Sequence, residues 1–265
     1  MSISLAITGA AGRMGRRIVA LAAAERDLRV AVALEAAGNA ELGKDAGVLA
    51  GVSALGVAVS ANAAALFDVM IDFTSPAATP SFLDMCLSSS RAIVIGTTGH
   101  DAAERERIAA ASRKIPVVHA PNMSVGVNVL LRVTRQLAAA LDAAYDVEIT
   151  EAHHRFKADA PSGTAIALRD AVLAGRKDAG DAKATAVFGC PPGMRPAGQV
   201  TLHSLRLGDT VGEHSVHFGT LGETVTVSHS AHSRDTFAAG ALRAARWLAG
   251  KPAGLYSMQD VLFGA

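Results

Sequence analysis

The chain has 265 residues, enough for one large domain or two smaller ones, each with its own hydrophobic core. Its net charge of +1 and its 4% aromatic residues argue against nucleic acid or an anionic membrane surface as a partner. Two cysteines without a CxxC spacing argue against a disulfide framework or a zinc cluster. We recognise neither a signal peptide nor an apolar run long enough to span a bilayer, so we expect a cytoplasmic protein. From the cysteine spacing, we also expect no bound metal.

The first stretch of the chain has the pattern of a dinucleotide-binding unit. A strand is predicted at 3–8, a glycine turn at 9–15, a helix at 16–24 and a strand at 28–34, which ends before Glu35. This order of strand, glycine turn, helix, strand and acid is typical of a βαβ unit that binds a dinucleotide. The glycines would let a pyrophosphate approach the backbone, and the acid would accept hydrogen bonds from the adenosine ribose. Alternatively, the glycines only shape the turn and the acid only solvates a strand end.

More strands and helices follow in the first half of the chain. We predict strands at 68–74, 92–95 and 116–120, helices at 79–87 and 102–112, and a possible strand at 52–59. The strands at 68–74, 92–95 and 116–120 each end in small or polar residues, and the carboxyl ends of parallel strands line a ligand crevice. The predicted cofactor contacts are therefore Gly9, Ala10, Ala11, Gly12, Arg13, Met14, Glu35, Gly96, Thr97, Thr98, Ala120, Pro121, Asn122 and Met123. For any one of these turns taken alone, ordinary turn chemistry is the simpler explanation.

The coenzyme preference is predicted from the residues around Glu35. The next three residues, 36–38, include no arginine, and the carboxylate itself would repel the 2′-phosphate of NADPH. Arg13 and Arg16, in and after the glycine turn, would compensate only in part. We therefore expect NADH to serve as well as NADPH, or better.

The second half changes from alternating strands and helices to a strand-rich pattern. It is predicted to contain a helix at 125–141, a strand at 146–152, a helix from residue 163, an exposed loop at 175–198, strands at 200–207, 214–218 and 223–230, and a helix at 235–248. The three late strands are expected to form an antiparallel meander. The predicted fold class is α/β: a Rossmann-like domain with a parallel sheet, and a smaller α+β domain with a mostly antiparallel sheet. The first domain is expected at 1–123, completed by the helix and tail at about 236–265, and the second at 124–235.

Six titratable side chains fall within the nine residues from Glu151 to Asp159, in a chain that is only 18% charged. Two carboxylates and two fixed cations cancel there, which leaves His153 and His154 to titrate near neutral pH. If the strand continued through both histidines, they would point to opposite faces. Ser162 suits a helix N-cap, so the amides of the two following residues would form an anion site. The alternative is a solvated loop in which the carboxylates only pair with Arg155 and Lys157.

Six segments together carry a resemblance to a known family. They are residues 9–15, 94–99, 120–128, 151–165, 208–214 and 233–237. They resemble the 4-hydroxy-tetrahydrodipicolinate reductase family, also called dihydrodipicolinate reductase, over essentially the whole chain. One position departs from the family pattern: Phe156 stands where a basic or polar residue is expected.

The resemblance implies reduction of a cyclic dicarboxylate of the imine type by NADH or NADPH, in the diaminopimelate route to lysine. It assigns proton transfer to His153 and further acid duty to Lys157. It assigns substrate contacts to His154, Gly163, Thr164 and Arg234. It also implies a second domain that binds substrate and joins four chains through its sheets into a homotetramer.

Three other functions compete with this one. Another NAD(P)-dependent aldehyde or hydroxy-acid dehydrogenase would share the nucleotide pattern. A regulator that senses NAD(P) without catalysis would need the glycine turn but not His153, Lys157 or the anion site. A metal hydrolase could use His153, His154 and a carboxylate, but the sequence has no third ligand at the usual spacing. Stoichiometric zinc in the purified protein would favour the hydrolase.

Overall fold

The computed structural model describes residues 2–63, 65–141, 143–181, 184–190 and 192–264. The chain divides into two compact units, residues 1–125 with 234–265, and residues 126–233. The strands are β1 (Ile3–Thr8), β2 (Leu28–Leu34), β3 (Val59–Ser60), β4 (Val69–Asp72), β5 (Ala92–Ile95), β6 (Pro116–His119), β7 (Asp146–His153), β8 (Thr185–Phe188), β9 (Gln199–Arg206), β10 (Gly212–Thr220), β11 (Glu223–Ala231) and β12 (Gly254–Tyr256). The helices are α1 (Arg13–Ala23), α2 (Ala46–Leu49), α3 (Thr79–Ser89), α4 (Ala102–Ser112), α5 (Val125–Ala140), α6 (Gly163–Asp178), α7 (Asp235–Leu248) and α8 (Met258–Phe263). Among the helices of these described ranges, none has the length and apolarity needed to cross a membrane.

The first unit is built on a parallel sheet in the order β12-β6-β5-β4-β1-β2-β3. Its central strands are buried on both faces and, except for Asp72 at the end of β4, apolar, as expected for a parallel sheet covered by helices on each side. On one face, α7 supplies small side chains to the core, including Ala241 and Ala245. A Cβ at Gly240 would lie 1.7 Å from the carbonyl oxygen of Met123, so only glycine permits this approach. The helix therefore fixes the turn that follows β6.

The predicted fold class and most of the predicted elements are confirmed, but the possible strand at 52–59 is wrong over most of its length. Pairing beside β2 begins only at Val59. The cause is Asp45, which caps α2 and whose carboxylate also accepts amide hydrogens from Leu55, Gly56 and Val57. These bonds hold the segment in a turn and make it unavailable for a ladder.

The second unit has a mixed sheet in the order β11-β10-β7-β9-β8. Strands β10 and β11 form the predicted antiparallel hairpin, but the three-strand meander is wrong because β9 pairs in parallel with β7. The connection from β9 to β10 crosses the end of β7, where Leu207 donates its amide hydrogen to His153 and Arg155 donates to Gly208. Strand β7 therefore lies between β9 and β10, in the middle of the sheet.

The exposed loop predicted at 175–198 is also corrected. Helix α6 continues to Asp178, and β8 forms an edge strand that pairs in parallel with β9. This strand has only four residues, and two of them, Thr185 and Phe188, are exposed. Its apolar pattern was therefore too short and too weak to predict. Residues 182, 183 and 191 of the predicted loop lie outside the described residues.

Candidate active site

The glycine turn of the first unit leaves the start of α1 free for an anion. Gly9 has a φ of 60°, which favours glycine, and a Cβ at Gly15 would lie 2.0 Å from the Gly9 carbonyl oxygen. Gly12 is the N-cap residue of α1, and no side chain within the described residues caps it. The first-turn amides, those of Arg13 and Met14, are therefore the donors that a pyrophosphate would meet.

The other amides of the turn already have acceptors. Those of Ala10 and Gly12 donate to the carbonyls of Leu34 and Gly9. Ala11 donates to the carboxylate of Glu35 at 3.2 Å. Ala10, Ala11 and Gly12 therefore shape the predicted cofactor site rather than offer amide hydrogens to it.

Glu35 is held at the end of β2, beside the glycine turn. Its second oxygen accepts the amide hydrogen of Ala36 at 3.1 Å. Arg16 donates to the carbonyl oxygen of Ala11 and lies 3.7 Å from Glu41, so local partners hold its charge. Arg13 is exposed. The carboxylate is thus fixed where an adenosine ribose is expected, and the residues present fit a dinucleotide.

The other predicted cofactor residues also follow the carboxyl ends of strands in this sheet. After β5, the amide of Gly96 donates to the carbonyl of Asp72 at 2.9 Å, and a Cβ there would lie 2.2 Å from the Phe73 ring. Thr97 is buried and Thr98 is exposed. The turn after β6 has Ala120 and Met123 buried, Pro121 exposed, and the Asn122 side chain accepting the amide hydrogen of Ser124. The sheet order brings the ends of β1, β4, β5 and β6 to one edge.

In the second unit, Glu151 is the centre of the polar network. The side chain is 2% exposed, and one oxygen lies 2.5 Å from Nδ1 of His153. The other oxygen accepts from Arg206 at 2.8 Å and from the amide of Ser162 at 3.2 Å. The alternative in which Glu151 only pairs with Arg155 and Lys157 is wrong. Arg206 follows 55 residues later, and only the parallel pairing of β7 and β9 brings it close.

The hydrogen bonds around Glu151 set the protonation states of Glu151 and His153. Burial acts to raise the pKa of Glu151, but hydrogen bonds from Arg206, Ser204 and His153 outweigh it and lower this pKa to about 2. The ionised carboxylate therefore accepts a hydrogen from Nδ1 of His153, which leaves Nε2 as the nitrogen that exchanges a proton. Burial lowers the pKa of His153, although the hydrogen bond and the charge of Glu151 act in the opposite direction. The nearby cations Lys157 and Arg206 lower it further.

His214 is a site residue that sequence reasoning missed. It is buried on β10, and its Nε2 shares a hydrogen bond of 3.1 Å with the Ser162 hydroxyl. Its ring meets the His153 ring edge-on, with the centroids 5.2 Å apart. Burial, followed by the charge of His153, lowers its pKa to about 4. Its segment, 208–214, was part of the family resemblance, which is the signal that could have identified it.

The start of α6 has the predicted cap. The Ser162 hydroxyl accepts the amide hydrogen of Ala165 at 3.2 Å, as an N-cap does. Gly163, the first residue of this 16-residue helix, is exposed and Thr164 is half-buried. The predicted anion site and the predicted proton donor are joined, because Glu151 binds both the Ser162 amide and His153.

Lys157 and His154 lie in the turn after β7. Lys157 pairs with Asp159 at 2.9 Å, which is one of the pairs that the alternative of a solvated loop allowed. Since β7 ends at His153, strand alternation does not fix where His154 points. The His154 ring lies 6.3 Å from that of Phe156, which is 82% exposed. Arg234, the other predicted substrate contact, is exposed and belongs to the first unit.

Three metal-ligating side chains also meet here, in a combination that the sequence did not suggest. Glu151, His153 and His214 each have a ligand atom within 4.8 Å of the others. The metal hydrolase alternative had instead paired His153 with His154. Both oxygens of Glu151 already accept hydrogen bonds, and the cation of Arg206 competes for one of them. This arrangement suits proton exchange better than a divalent ion.

Two family models cover nearly the whole chain. A model described as dihydrodipicolinate reductase, N-terminus, matches residues 3–123, and one described as its C-terminus matches residues 126–262. The chain belongs to the dihydrodipicolinate reductase family. Membership makes it an oxidoreductase that uses a nicotinamide cofactor.

Relatives in this family match along almost their full length. A 4-hydroxy-tetrahydrodipicolinate reductase of Anaeromyxobacter sp. (strain Fw109-5) is 51% identical, over 98% of this chain and 97% of its own. One of Thiobacillus denitrificans (strain ATCC 25259 / T1) is 46% identical, over 99% of both chains. Among solved structures, a dipicolinate-bound dihydrodipicolinate reductase from Paenisporosarcina sp. TG-14 has a TM-score of 0.77 at 24% identity, covering 99% of this chain and 100% of its own. That likeness shows the shared fold.

Proposed function

We propose that the chain reduces 4-hydroxy-tetrahydrodipicolinate to tetrahydrodipicolinate with NADH or NADPH, in the diaminopimelate route to lysine. Relatives of that name support this at 46–51% identity over nearly the whole chain. The observation that carries the proposal is the Glu151 carboxylate, which binds both His153 and the amide of Ser162 at the α6 cap. A dicarboxylate substrate needs an anion site, and its reduction by hydride needs a proton donor. The Paenisporosarcina relative, which was solved with dipicolinate bound, holds a dicarboxylate on the same fold.

The two units supply different parts of the reaction. The first unit binds the nicotinamide cofactor, which supplies the hydride. Hydride addition leaves negative charge on the conjugated ring, and a proton must neutralise it as water leaves. His153 gives that proton from Nε2, because Glu151 occupies Nδ1. Lys157 acts as a further acid.

The substrate carboxylates have two proposed sites. Gly163 and Thr164 bind one of them at the start of α6, where the backbone amides and the helix dipole favour an anion. Arg234 is proposed for the second carboxylate through a bidentate contact, and His154 for a further substrate contact. The helix cap supports the site at Gly163 and Thr164. The family resemblance supports the assignments of Arg234 and His154.

The decisive assay follows NADH consumption with the condensation product of pyruvate and aspartate semialdehyde. We compare the wild type with His153→Gln and Lys157→Ala, and with His217→Gln, a histidine on the same sheet whose partner is Thr226. Both site variants should lose kcat by a factor of ~100 or more while cofactor affinity stays the same, and His217→Gln should match the wild type. Unchanged turnover in both site variants would refute the proposed mechanism. No turnover by the wild type would refute the proposed substrate.

NADH is proposed to serve as well as NADPH or better, because Glu35 is fixed at the end of β2 and Arg16 is bound to Ala11 and Glu41. The test compares kcat/KM for the two cofactors in the wild type and in Glu35→Gln. The variant should gain activity with NADPH relative to NADH. A large NADPH preference in the wild type would contradict this.

We also propose a cytoplasmic homotetramer that assembles through the sheets of the second units. Alternate residues of β11, among them Thr226 and Ser228, are exposed, while Val225 and Val227 pack on the core. The exposed row gives the sheet a polar face that a second copy would cover. Light scattering on the purified chain should give a mass near four times 27.1 kDa. A monomeric mass would refute the assembly.

A further inference from the structure

Asp72, at the carboxyl end of β4, is a fully buried carboxylate that the proposed mechanism does not use. One oxygen accepts from the Thr8 hydroxyl at 3.0 Å and from the amide and hydroxyl of Thr74 at 3.0 and 2.6 Å. The other oxygen accepts from the Thr79 hydroxyl at 2.7 Å. Four donors surround a group that, when ionised, only accepts. The site is therefore built for a negative charge.

The network continues from Thr79 to His100. The Thr79 hydroxyl gives its single hydrogen to Asp72 at 2.7 Å, the shorter of its two acceptor contacts, and can then accept from His100 at 3.2 Å in the tautomer that carries a proton on Nε2. The ring of His100 lies edge-on to that of His119, with the centroids 5.3 Å apart. Burial, then the charges of His100 and Arg105, lowers the pKa of His119. Arg105 donates to the carbonyl oxygen of His100.

Asp72 is tied to the turns that carry the proposed cofactor contacts. Its carbonyl oxygen accepts from the amide of Gly96 at 2.9 Å and from the hydroxyl of Thr97 at 3.4 Å. The Thr97 hydroxyl in turn accepts the amide hydrogen of Thr74 at 2.9 Å. Thr8 directly precedes the glycine turn. One buried residue thus joins the turns after β1, β4 and β5.

We propose that Asp72 is a positioning residue for the nicotinamide end of the cofactor site, and that its charge favours the oxidised over the reduced cofactor. The nicotinamide ring is neutral when reduced and carries one positive charge after a hydride has left with its electron pair. A buried negative charge lowers the free energy of the positive form and so favours hydride departure. The proposal rests on the cofactor site at Gly96 and Thr97 but not on the identity of the substrate.

The expected effect is a change in the ratio of the Kd for NAD⁺ to the Kd for NADH. We take ~12 Å as the order of the separation between the Asp72 carboxylate and the nicotinamide ring, because Asp72 bonds directly to Gly96 and Thr97; at an effective dielectric constant of about 20, a unit charge at that distance changes an equilibrium about tenfold. Removing the charge should therefore weaken NAD⁺ binding about tenfold more than NADH binding. A residue that only shaped the site would weaken both by the same factor.

The test measures Kd for NAD⁺ and for NADH by titration calorimetry on the full chain without substrate. Asp72→Asn removes the charge, and Thr79→Val keeps it but removes one donor. The control, Asp84→Asn, removes an exposed carboxylate on α3 that is paired with Arg107. Asp72→Asn should shift the Kd ratio about tenfold against NAD⁺ and the control should not. Thr79→Val should leave the ratio unchanged or move it toward NAD⁺, because the charge is then less compensated.

Equal weakening of both cofactors by Asp72→Asn overturns the proposal. If that variant does not fold, a shift against NAD⁺ in Thr79→Val overturns it instead. Because no substrate is present, a failure of the proposed reductase activity leaves this test intact. A failure here likewise leaves the roles of His153 and Lys157 standing.

Discussion

Glu151→Gln removes the charge that orients His153 and keeps the size of the side chain. In the wild type the carboxylate has a pKa of about 2 against an ordinary 4.5. Because the folded pKa is the lower one, the unfolded chain binds more protons between these values, and stability rises with pH across that window. The difference corresponds to on the order of 3 kcal/mol, fully present above pH 4.5 and lost as the pH falls to 2. We expect the variant to lose about that much stability at neutral pH, partly because Arg206 keeps its charge without its partner.

Activity should change in a way that a purely structural residue would not produce. Without Glu151, His153 loses the hydrogen bond and the charge that raise its pKa, so the pH profile of kcat should move to lower pH. At neutral pH we expect kcat to fall at least about tenfold with a nearly unchanged Kd for NADH. The assays are kcat across pH 5–9 and urea unfolding at pH 7 and pH 4. Glu213→Gln, an exposed carboxylate on β10, is the control. An unshifted pH profile with a stability loss under about 0.5 kcal/mol would refute the reasoning.

Two further predictions concern β10. In Gly212→Ala the new Cβ would lie 3.2 Å from Nε2 of His153, the proposed proton donor, so kcat should fall several-fold or more while the protein stays folded. Gly219→Ala, whose Cβ makes only an ordinary contact at 3.6 Å, is the matched control; equal kcat in the two variants would contradict the prediction. His214 is buried with a pKa of about 4 against an ordinary 6.5, so the unfolded chain binds the extra proton and stability falls as the pH drops from 6.5 to 4. Urea unfolding of His214→Asn should lack this loss, which is on the order of 3 kcal/mol in the wild type, whereas His217→Asn should retain it.

The elements that sequence predicted well are those whose signals are local. Strand β2 is an apolar run bounded by charged residues, and its predicted ends at 28 and 34 are those observed. Helix α4 begins after Asp101, whose side chain forms a capping box with Glu104, and its predicted ends are also those observed. The cap of α6 by Ser162 was predicted for the same reason. Such signals lie within a few residues of the element that they define.

The parts that sequence did not predict depend on partners far along the chain. The bond from Arg206 to Glu151 spans 55 residues and requires β9 to run parallel beside β7. The alternation of apolar and polar residues in a strand indicates which face is buried, but not which other strand pairs with it. His214 reaches Ser162 across 52 residues for the same reason. The family resemblance therefore implied His153 as the proton donor, but the sequence predicted neither the carboxylate that binds it nor the histidine beside it.

If His153 is the proton donor that we propose, the charges around it lead us to expect that it takes up its proton when the substrate binds. In the free protein, burial and the cations Lys157 and Arg206 hold its pKa below the ordinary value, so most of it is neutral at neutral pH. A dicarboxylate bound at Gly163 adds negative charge to a network that already joins this site to His153 through Glu151. Negative charge favours the protonated ring, so its pKa should rise on binding, toward the pH at which proton donation is most effective. We therefore expect the pKa seen in the kcat profile to be higher than the one seen in the kcat/KM profile, since the first reports the complex and the second the free protein. Identical pKa values in both profiles would mean that the anion site and the proton donor act independently.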